Sequence, residues 1–231
     1  MGSDLPKVLH ILNGRPLVAH VVDSLRRAGA DEIIAVIGYR GDEVAGALDP
    51  DVRCVWQREQ KGTGHAVMQA EPVLGGYAGP VLIACGDVPL VRPSTFSTMA
   101  AEASRAGVRG VVLGMVPQNP HGYGRLVRDS EGRLERIVEE RDATDEQRKI
   151  AEVNTGTYIF YGTDLFQGLK TITTDNAQGE YYLPDLVGYI RTTGGKVRTI
   201  LLENPIEGSG VNTPEELRRL EESFGRITAE R

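Results

Sequence analysis

Val81-Leu82-Ile83-Ala84-Cys85-Gly86-Asp87-Val88-Pro89-Leu90 is the stretch around which the chain is organised. Five apolar or small residues run without a break and then stop at Gly-Asp. A run of that length, bounded by turn residues, predicts a strand buried on both faces of a parallel sheet. In open α/β sheets the ligand crevice lies beyond the carboxyl ends of such strands. Gly86 lets backbone approach a ligand closely, and Asp87 places a hard carboxylate where Mg²⁺ and a phosphate would sit. Pro89 ends the ladder. Asp is also a favoured helix cap, so a purely structural Asp87 capping the next helix stands beside the metal reading.

Working outward, βα alternation extends in both directions. Ile33–Gly38 and Val52–Trp56 read as buried strands, with a helix over residues 17–28 before them. That helix carries Leu17, Val18, Val21, Val22 and Leu25 on one face and ends on Arg26, Arg27 and Gly29. Between Trp56 and the next helix lies Gln57-Arg58-Glu59-Gln60-Lys61-Gly62-Thr63-Gly64-His65, a strand-to-helix loop with free N–H groups that could face an anion or another ligand. After residue 122 the pattern changes. Tyr123–Arg128 and Leu134–Glu139 alternate about the turn 129–132, which predicts a β-hairpin with one solvated face inserted into the α/β frame. Further strands are expected at Asn154–Phe160 and Lys196–Leu202, with helices over 183–192 and 214–224. The turn Gly208–Pro214 leads into the last helix.

Composition sets the outer limits. The 231 residues suffice for one large domain, and neither a repeat nor a low-complexity linker divides them. A formal net charge of −6 argues against a general nucleic-acid surface. Cys54 and Cys85, on strands expected to be neighbours, lack metal-ligand spacing and read as reduced core thiols of a cytoplasmic protein. No apolar run reaches membrane-spanning length, so no membrane partner is expected.

Several of these stretches occur in one order. They are Ser3-Asp4-Leu5-Pro6-Lys7-Val8-Leu9-His10, Gln57 through His65, Gly86-Asp87-Val88-Pro89-Leu90, Gly122-Tyr123-Gly124-Arg125, Asn154-Thr155-Gly156, Asn176 through Tyr182, and Gly210-Val211-Asn212. Together they resemble the uridyltransferase domain of the bacterial bifunctional N-acetylglucosamine-1-phosphate uridyltransferases, within the MobA-like sugar-phosphate nucleotidyltransferases. The resemblance spans nearly the whole chain. It implies a Rossmann-like α/β nucleotidyltransferase fold, mostly parallel, with helices on both faces and the hairpin over a sugar. It also implies transfer of UMP from UTP to N-acetylglucosamine 1-phosphate, with pyrophosphate released and Mg²⁺ as cofactor. Asp87 and Asn212 would then hold the metal, Lys7 would contact the UTP phosphates, and Gln57, Gly62 and Thr63 would read the uracil edge. Gly124, Glu139 and Asn154 would bind the sugar. Each has a plainer reading: an exposed lysine, a turn asparagine, a solvated strand end, a surface carboxylate beside Glu140, or a strand terminus tied off. His65 reads as a supporting or structural residue, and Tyr181 and Tyr182 as packing residues.

Three departures from the family pattern are visible. The family opens with a buried strand and a loop of the form Leu-Ala-Ala-Gly-x-Gly-Thr-Arg-Met. This chain begins at that final Met, so a start codon further upstream is expected. Cys85 stands where an aromatic or polar residue commonly precedes Gly-Asp, which could loosen sugar selectivity. The hexapeptide-repeat acetyltransferase domain is not part of the chain, which leaves oligomeric state open. The alternatives kept are a related enzyme using another sugar 1-phosphate or dTTP, and a non-catalytic nucleotide-sugar-binding module.

Overall fold

A computed structural model describes residues 4–229, so Ser3 of the first motif lies outside the described residues. After a 3₁₀ turn at Lys7–Leu9, a tight turn with positive φ at Asn13 and Gly14 joins β1 (Ile11–Leu12) to β2 (Arg15–Pro16). Helix α1 (Leu17–Arg27) follows and stops at Gly29, whose φ of +90° is costly for any residue with a Cβ. Next come β3 (Ile34–Ile37), α2 (Gly41–Gly46), β4 (Arg53–Trp56), α3 (Thr63–Met68), α4 (Glu71–Leu74) and β5 (Pro80–Ile83). Helix α5 (Pro93–Ala103) leads to β6 (Val108–Met115) and then to the hairpin β7 (Arg125–Arg128) and β8 (Leu134–Val138). The rest of the chain forms α6 (Asp145–Arg148), β9 (Val153–Tyr161), α7 (Gly162–Leu169), α8 (Leu186–Thr192), β10 (Lys196–Leu201) and α9 (Pro214–Ala229).

The larger sheet runs β10-β6-β9-β7-β8, with β5 also paired to β9. Strands β10 and β6 are parallel, whereas β9 is antiparallel to β5, β6 and β7. So β5, β6 and β10 share a direction and β9 is the reversed strand between them. It returns from the hairpin insertion and therefore enters the sheet from the opposite end. Period-two alternation sends Val111, Leu113 and Ile159 to one face, packed with Phe96 and Met99 of α5. Val112, Tyr158 and Phe160 go to the other, packed with α7 and α8. Helices thus cover both faces, the doubly covered arrangement expected from the βα pattern.

Two expectations need correction. β5 is not buried on both faces within a parallel ladder. Its only strand partner among the described residues is antiparallel β9, and Val81, Leu82 and Ile83 are half-buried. Cys54 and Cys85 are not on neighbouring strands either, because β4 pairs with β3 in a separate two-stranded parallel sheet. Both thiols are free. Helix α7 and the 3₁₀ turn Pro205–Gly208 carry no expectation from the sequence.

Candidate active site

The β5 strand delivers Asp87 to its carboxyl end, as the Gly-Asp stop predicted. The next helix begins only at Pro93, with Arg92 as its N-cap, so Asp87 caps nothing. Instead it meets two distant segments. Lys7 Nζ lies 3.4 Å from Asp87 Oδ2 and donates to Asn212 Oδ1 at 2.8 Å. Behind them the Val211 N–H donates to the Asp87 carbonyl at 3.0 Å, which locks the two loops in register. Asn212 is steadied from below by a capping box. The Asn212 and Thr213 N–H groups bond Glu216 Oε2 at 2.6 and 2.9 Å, and Thr213 Oγ1 accepts from the Glu216 N–H at 3.1 Å. Glu207, buried at 1% exposure, accepts from the Arg92 N–H at 3.0 Å, the Arg92 guanidinium at 2.9 Å and the Thr95 hydroxyl. That carboxylate ties the segment before Asn212 to the loop after Asp87.

Two hard oxygens, from Asp87 and Asn212, converge on one point that already receives a cation, the Lys7 ammonium. A divalent ion of the Mg²⁺ type takes one or two protein oxygens and completes its octahedron with phosphate oxygens and water. The donor set fits such an ion. No group of three or more His, Cys, Asp or Glu side chains forms a closed metal cage among the described residues.

A second cluster sits on the hairpin side. A Cβ on Gly124 would lie 3.2 Å from Glu139 Oε1, and the Gly124 carbonyl accepts from the Asn154 N–H at 2.8 Å. The structure therefore brings Gly124, Glu139 and Asn154 together. Asn154, 8% exposed, takes the Gly156 N–H on Oδ1 at 3.2 Å and donates to the Tyr158 hydroxyl at 2.6 Å. Burial first, then the carboxylates of Asp142, Asp185 and Glu180, push the Glu139 pKa up from 4.5 to about 6. Its neighbour Glu140 does the opposite. Burial alone would raise it, but the Arg125 guanidinium and the Gly122 N–H outweigh that and hold it low. Arg125 is 2% exposed, with Nη2 2.8 Å from Glu140 Oε2. Of the adjacent pair, Glu140 is held by an arginine and Glu139 lies against Gly124.

The loop after β4 is built against residues 180–183. Gly62 has φ +100°, and a Cβ there would lie 2.7 Å from the Tyr181 carbonyl oxygen, so only glycine fits. Gly64 N–H donates to that same carbonyl at 2.8 Å, which corrects the expectation of free N–H groups throughout the loop. Thr63 Oγ1 accepts from the Leu183 N–H at 3.1 Å, and Gln57 Nε2 donates to the Gly62 carbonyl at 3.0 Å. Gln57, Gly62 and Thr63 are thus one bonded unit at the end of β4.

Sequence reasoning passed over Tyr123 and Tyr158 as site residues. Tyr123 has its hydroxyl pKa raised by burial and by Glu216, with Asp87 adding to the same effect. Cys85, half-buried against Gly156 with Sγ 3.5 Å from its carbonyl, has its pKa raised to about 12 by desolvation of the thiol and by Asp87. It is a packing thiol rather than a nucleophile. A tyrosine within such motifs carries no signal beyond aromatic packing, so neither tyrosine could be separated from the core by type alone.

A sheet crevice that gathers a lysine, a carboxylate and an asparagine beside a glycine-rich loop is the architecture of an α/β nucleotidyltransferase. The chain belongs to the MobA-like NTP transferase domain family, whose model matches residues 1–180. It is 42% identical over 230 residues to the bifunctional protein GlmU of Pelotomaculum thermopropionicum, covering 100% of this chain and 50% of that protein. It is 44% identical over 226 residues to the bifunctional protein GlmU of Halalkalibacterium halodurans, covering 98% and 50%. The chain spans about half the length of the curated relatives it matches. A crystal structure of UDP-glucose pyrophosphorylase complexed with UDP-glucose shares the fold, with TM-score 0.77 at 16% identity over 96% of this chain and 91% of that one.

Proposed function

We propose that residues 1–231 act as one nucleotidyltransferase domain that transfers UMP from UTP to N-acetylglucosamine 1-phosphate, releasing pyrophosphate. The observation that carries the reading is the convergence of Lys7, Asp87 and Asn212 from three distant segments onto one point, with Gly124, Glu139 and Asn154 grouped near it on the hairpin side. The similarity to the GlmU proteins over their shared half supports the same choice of substrates.

The chemistry suits these groups. A sugar phosphate is already an anionic nucleophile, so no general base is required. The barrier lies in bringing two polyanions together and aligning an attacking phosphate oxygen in line with the leaving pyrophosphate. Lys7 supplies a fixed cation to the triphosphate. Asp87 and Asn212 would hold Mg²⁺, which when bound neutralises phosphate charge and orients the α-phosphoryl group. Glu139, when ionised, accepts from a sugar hydroxyl, and the one Asn154 amide hydrogen left over from Tyr158 offers a donor. Gln57 and Thr63 read the pyrimidine edge. The cytoplasm is the compartment where such activated substrates are found.

The test is pyrophosphate release from UTP, N-acetylglucosamine 1-phosphate and Mg²⁺, with glucose 1-phosphate and dTTP as competitors. Release with both named substrates preferred is the expected result. No release from this chain, nor from the chain prefixed with a strand and glycine-rich loop of the family's pattern, overturns the reading.

A further inference from the structure

His65 has no assigned role, yet it makes a contact that fixes what Gln57 can recognise. Gln57 Nε2 lies 3.0 Å from the Gly62 carbonyl oxygen and 3.1 Å from His65 Nδ1. A backbone carbonyl only accepts, so the Gly62 contact requires the amide nitrogen, and not its oxygen, to point inward. The same nitrogen then presents its second hydrogen to Nδ1, which must be the bare, accepting nitrogen of a neutral ring. The other ring nitrogen carries the proton. Gln69 Nε2 donates to the His65 carbonyl at 3.0 Å and stands a longer 3.3 Å from that ring nitrogen, so the shorter Gln57 contact sets the tautomer. The ring is held in place by stacking on Tyr181, with centroids 6.3 Å apart and planes at 27°.

Both hydrogens of the Gln57 amide are consumed by this arrangement. What remains is Oε1, which has no donor among the described residues. An acceptor can read only a base edge that offers an N–H at that position. Uracil offers its N3–H, whereas cytosine presents a lone pair at N3.

We infer that His65 is a positioning residue that fixes base specificity: its Nδ1 locks the Gln57 amide with the oxygen outward and so selects a base with an N3–H. The inference rests on the proposal that Gln57 faces the nucleotide base. Without Nδ1, the amide nitrogen keeps only the Gly62 bond, and the amide is free to swing about it, so that Oε1 is no longer held toward the base.

Calorimetric binding of UTP and of CTP, with Mg²⁺ and without the sugar phosphate, tests this independently of turnover. Three proteins are compared: the unaltered chain, His65→Phe, which keeps a ring against Tyr181 but has no acceptor, and His65→Asn, whose amide oxygen occupies the Nδ1 position. The unaltered chain is expected to prefer UTP. His65→Phe is expected to weaken UTP binding about tenfold, the effect of one lost hydrogen bond, while leaving CTP nearly unchanged. His65→Asn is expected to restore most of the preference. Equal affinity for UTP and CTP in the unaltered chain overturns the base-reading role of Gln57 itself. A preference that survives intact in His65→Phe, or is lost equally in the Phe and Asn variants, overturns only the role of His65. Should His65→Phe not fold, His65→Leu takes its place with the same expected outcomes.

Discussion

The two halves of the crevice are built to different standards. On the hairpin side, β9 has strand neighbours on both edges, and Val153, Asn154, Thr155, Tyr158, Ile159 and Phe160 are all buried. Its polar groups are bonded to one another before any ligand arrives: Asn154 to Gly156 and Tyr158, Arg125 to Glu140. On the side of Lys7 and Asp87, β3, β4 and β5 each have one strand partner among the described residues, and of their twelve residues only Ile37 is buried. Lys7 itself is 44% exposed at its side chain. Rigid elements fix geometry more closely than loops do, so on the proposed reading the sugar-facing groups are held by paired strands and the phosphate-facing groups by loop contacts. Chemistry and fold stability should therefore fail at different places when each side is cut.

The largest effect is expected where the chemistry lies. Asp87→Asn keeps shape and an oxygen but removes the charge that pairs with a cation. We expect kcat to fall at least about a hundredfold, in the range seen when one transition-state-stabilising group is lost. Uridine-nucleotide binding should change less than about tenfold, since Gln57, Gly62 and Thr63 are untouched. Steady-state kinetics paired with calorimetry separates the two, and equal losses in both count against the metal-holding role. The Asp87→Asn variant should also melt close to the parent, because the ion-pair partner of its carboxylate is the half-exposed Lys7 ammonium, 3.4 Å away.

Cutting the other half should do the reverse. Arg125→Met leaves Glu140 partly buried, with only Arg148 Nε at 3.8 Å and the Gly122 N–H at 3.2 Å as side-chain partners among the described residues. Breaking a buried pair from one side typically costs ~3 kcal/mol or more, so the urea midpoint should drop clearly. The residual activity per folded molecule should fall less than in Asp87→Asn. If stability is unchanged, the hairpin is not the rigid member of the comparison.

Legibility in the sequence follows the same division. The β5 run, the Gly-Asp stop and the hairpin were readable because apolar periodicity and turn residues are local signals. Which of Glu139 and Glu140 is tied to an arginine was not readable. The pair lies in the turn after β8, where no strand alternation decides which way each side chain points, and only the fold reveals that Arg125 pairs with Glu140. Helix α7 escaped notice because its eight residues carry two glycines. Gly168 is there for packing, since a Cβ would lie 2.6 Å from Leu186 and Tyr189. The half-exposed state of β5 was equally hidden, because a run of Val, Leu and Ile looks the same whether a strand is flanked once or twice. Asp87 was read from the Gly-Asp stop itself, whereas Lys7 and Asn212 were named through the family resemblance, and no local pattern could have joined three residues so far apart in the chain.

The smallest expected effect tests whether the sugar side is pre-set in charge as well as shape. Glu139 is raised from 4.5 to about 6 by burial and by Asp142, Asp185 and Glu180, so the folded protein holds its proton more tightly than the unfolded chain. Folding stability from this group is therefore greatest below pH 4.5 and declines as pH rises through about 6. Sugar binding runs the other way, because only the ionised form accepts two hydroxyl hydrogens. The KM for N-acetylglucosamine 1-phosphate should rise severalfold as pH falls through about 6, with the KM for UTP steady. In Glu139→Gln that rise should vanish, leaving a higher, flat KM. A pH dependence that persists in Glu139→Gln assigns the titration to the sugar phosphate or to Asp185, whose own pKa is raised by burial and by Asp142. In that case the sugar subsite owes its pH response to a neighbour rather than to the carboxylate that faces Gly124.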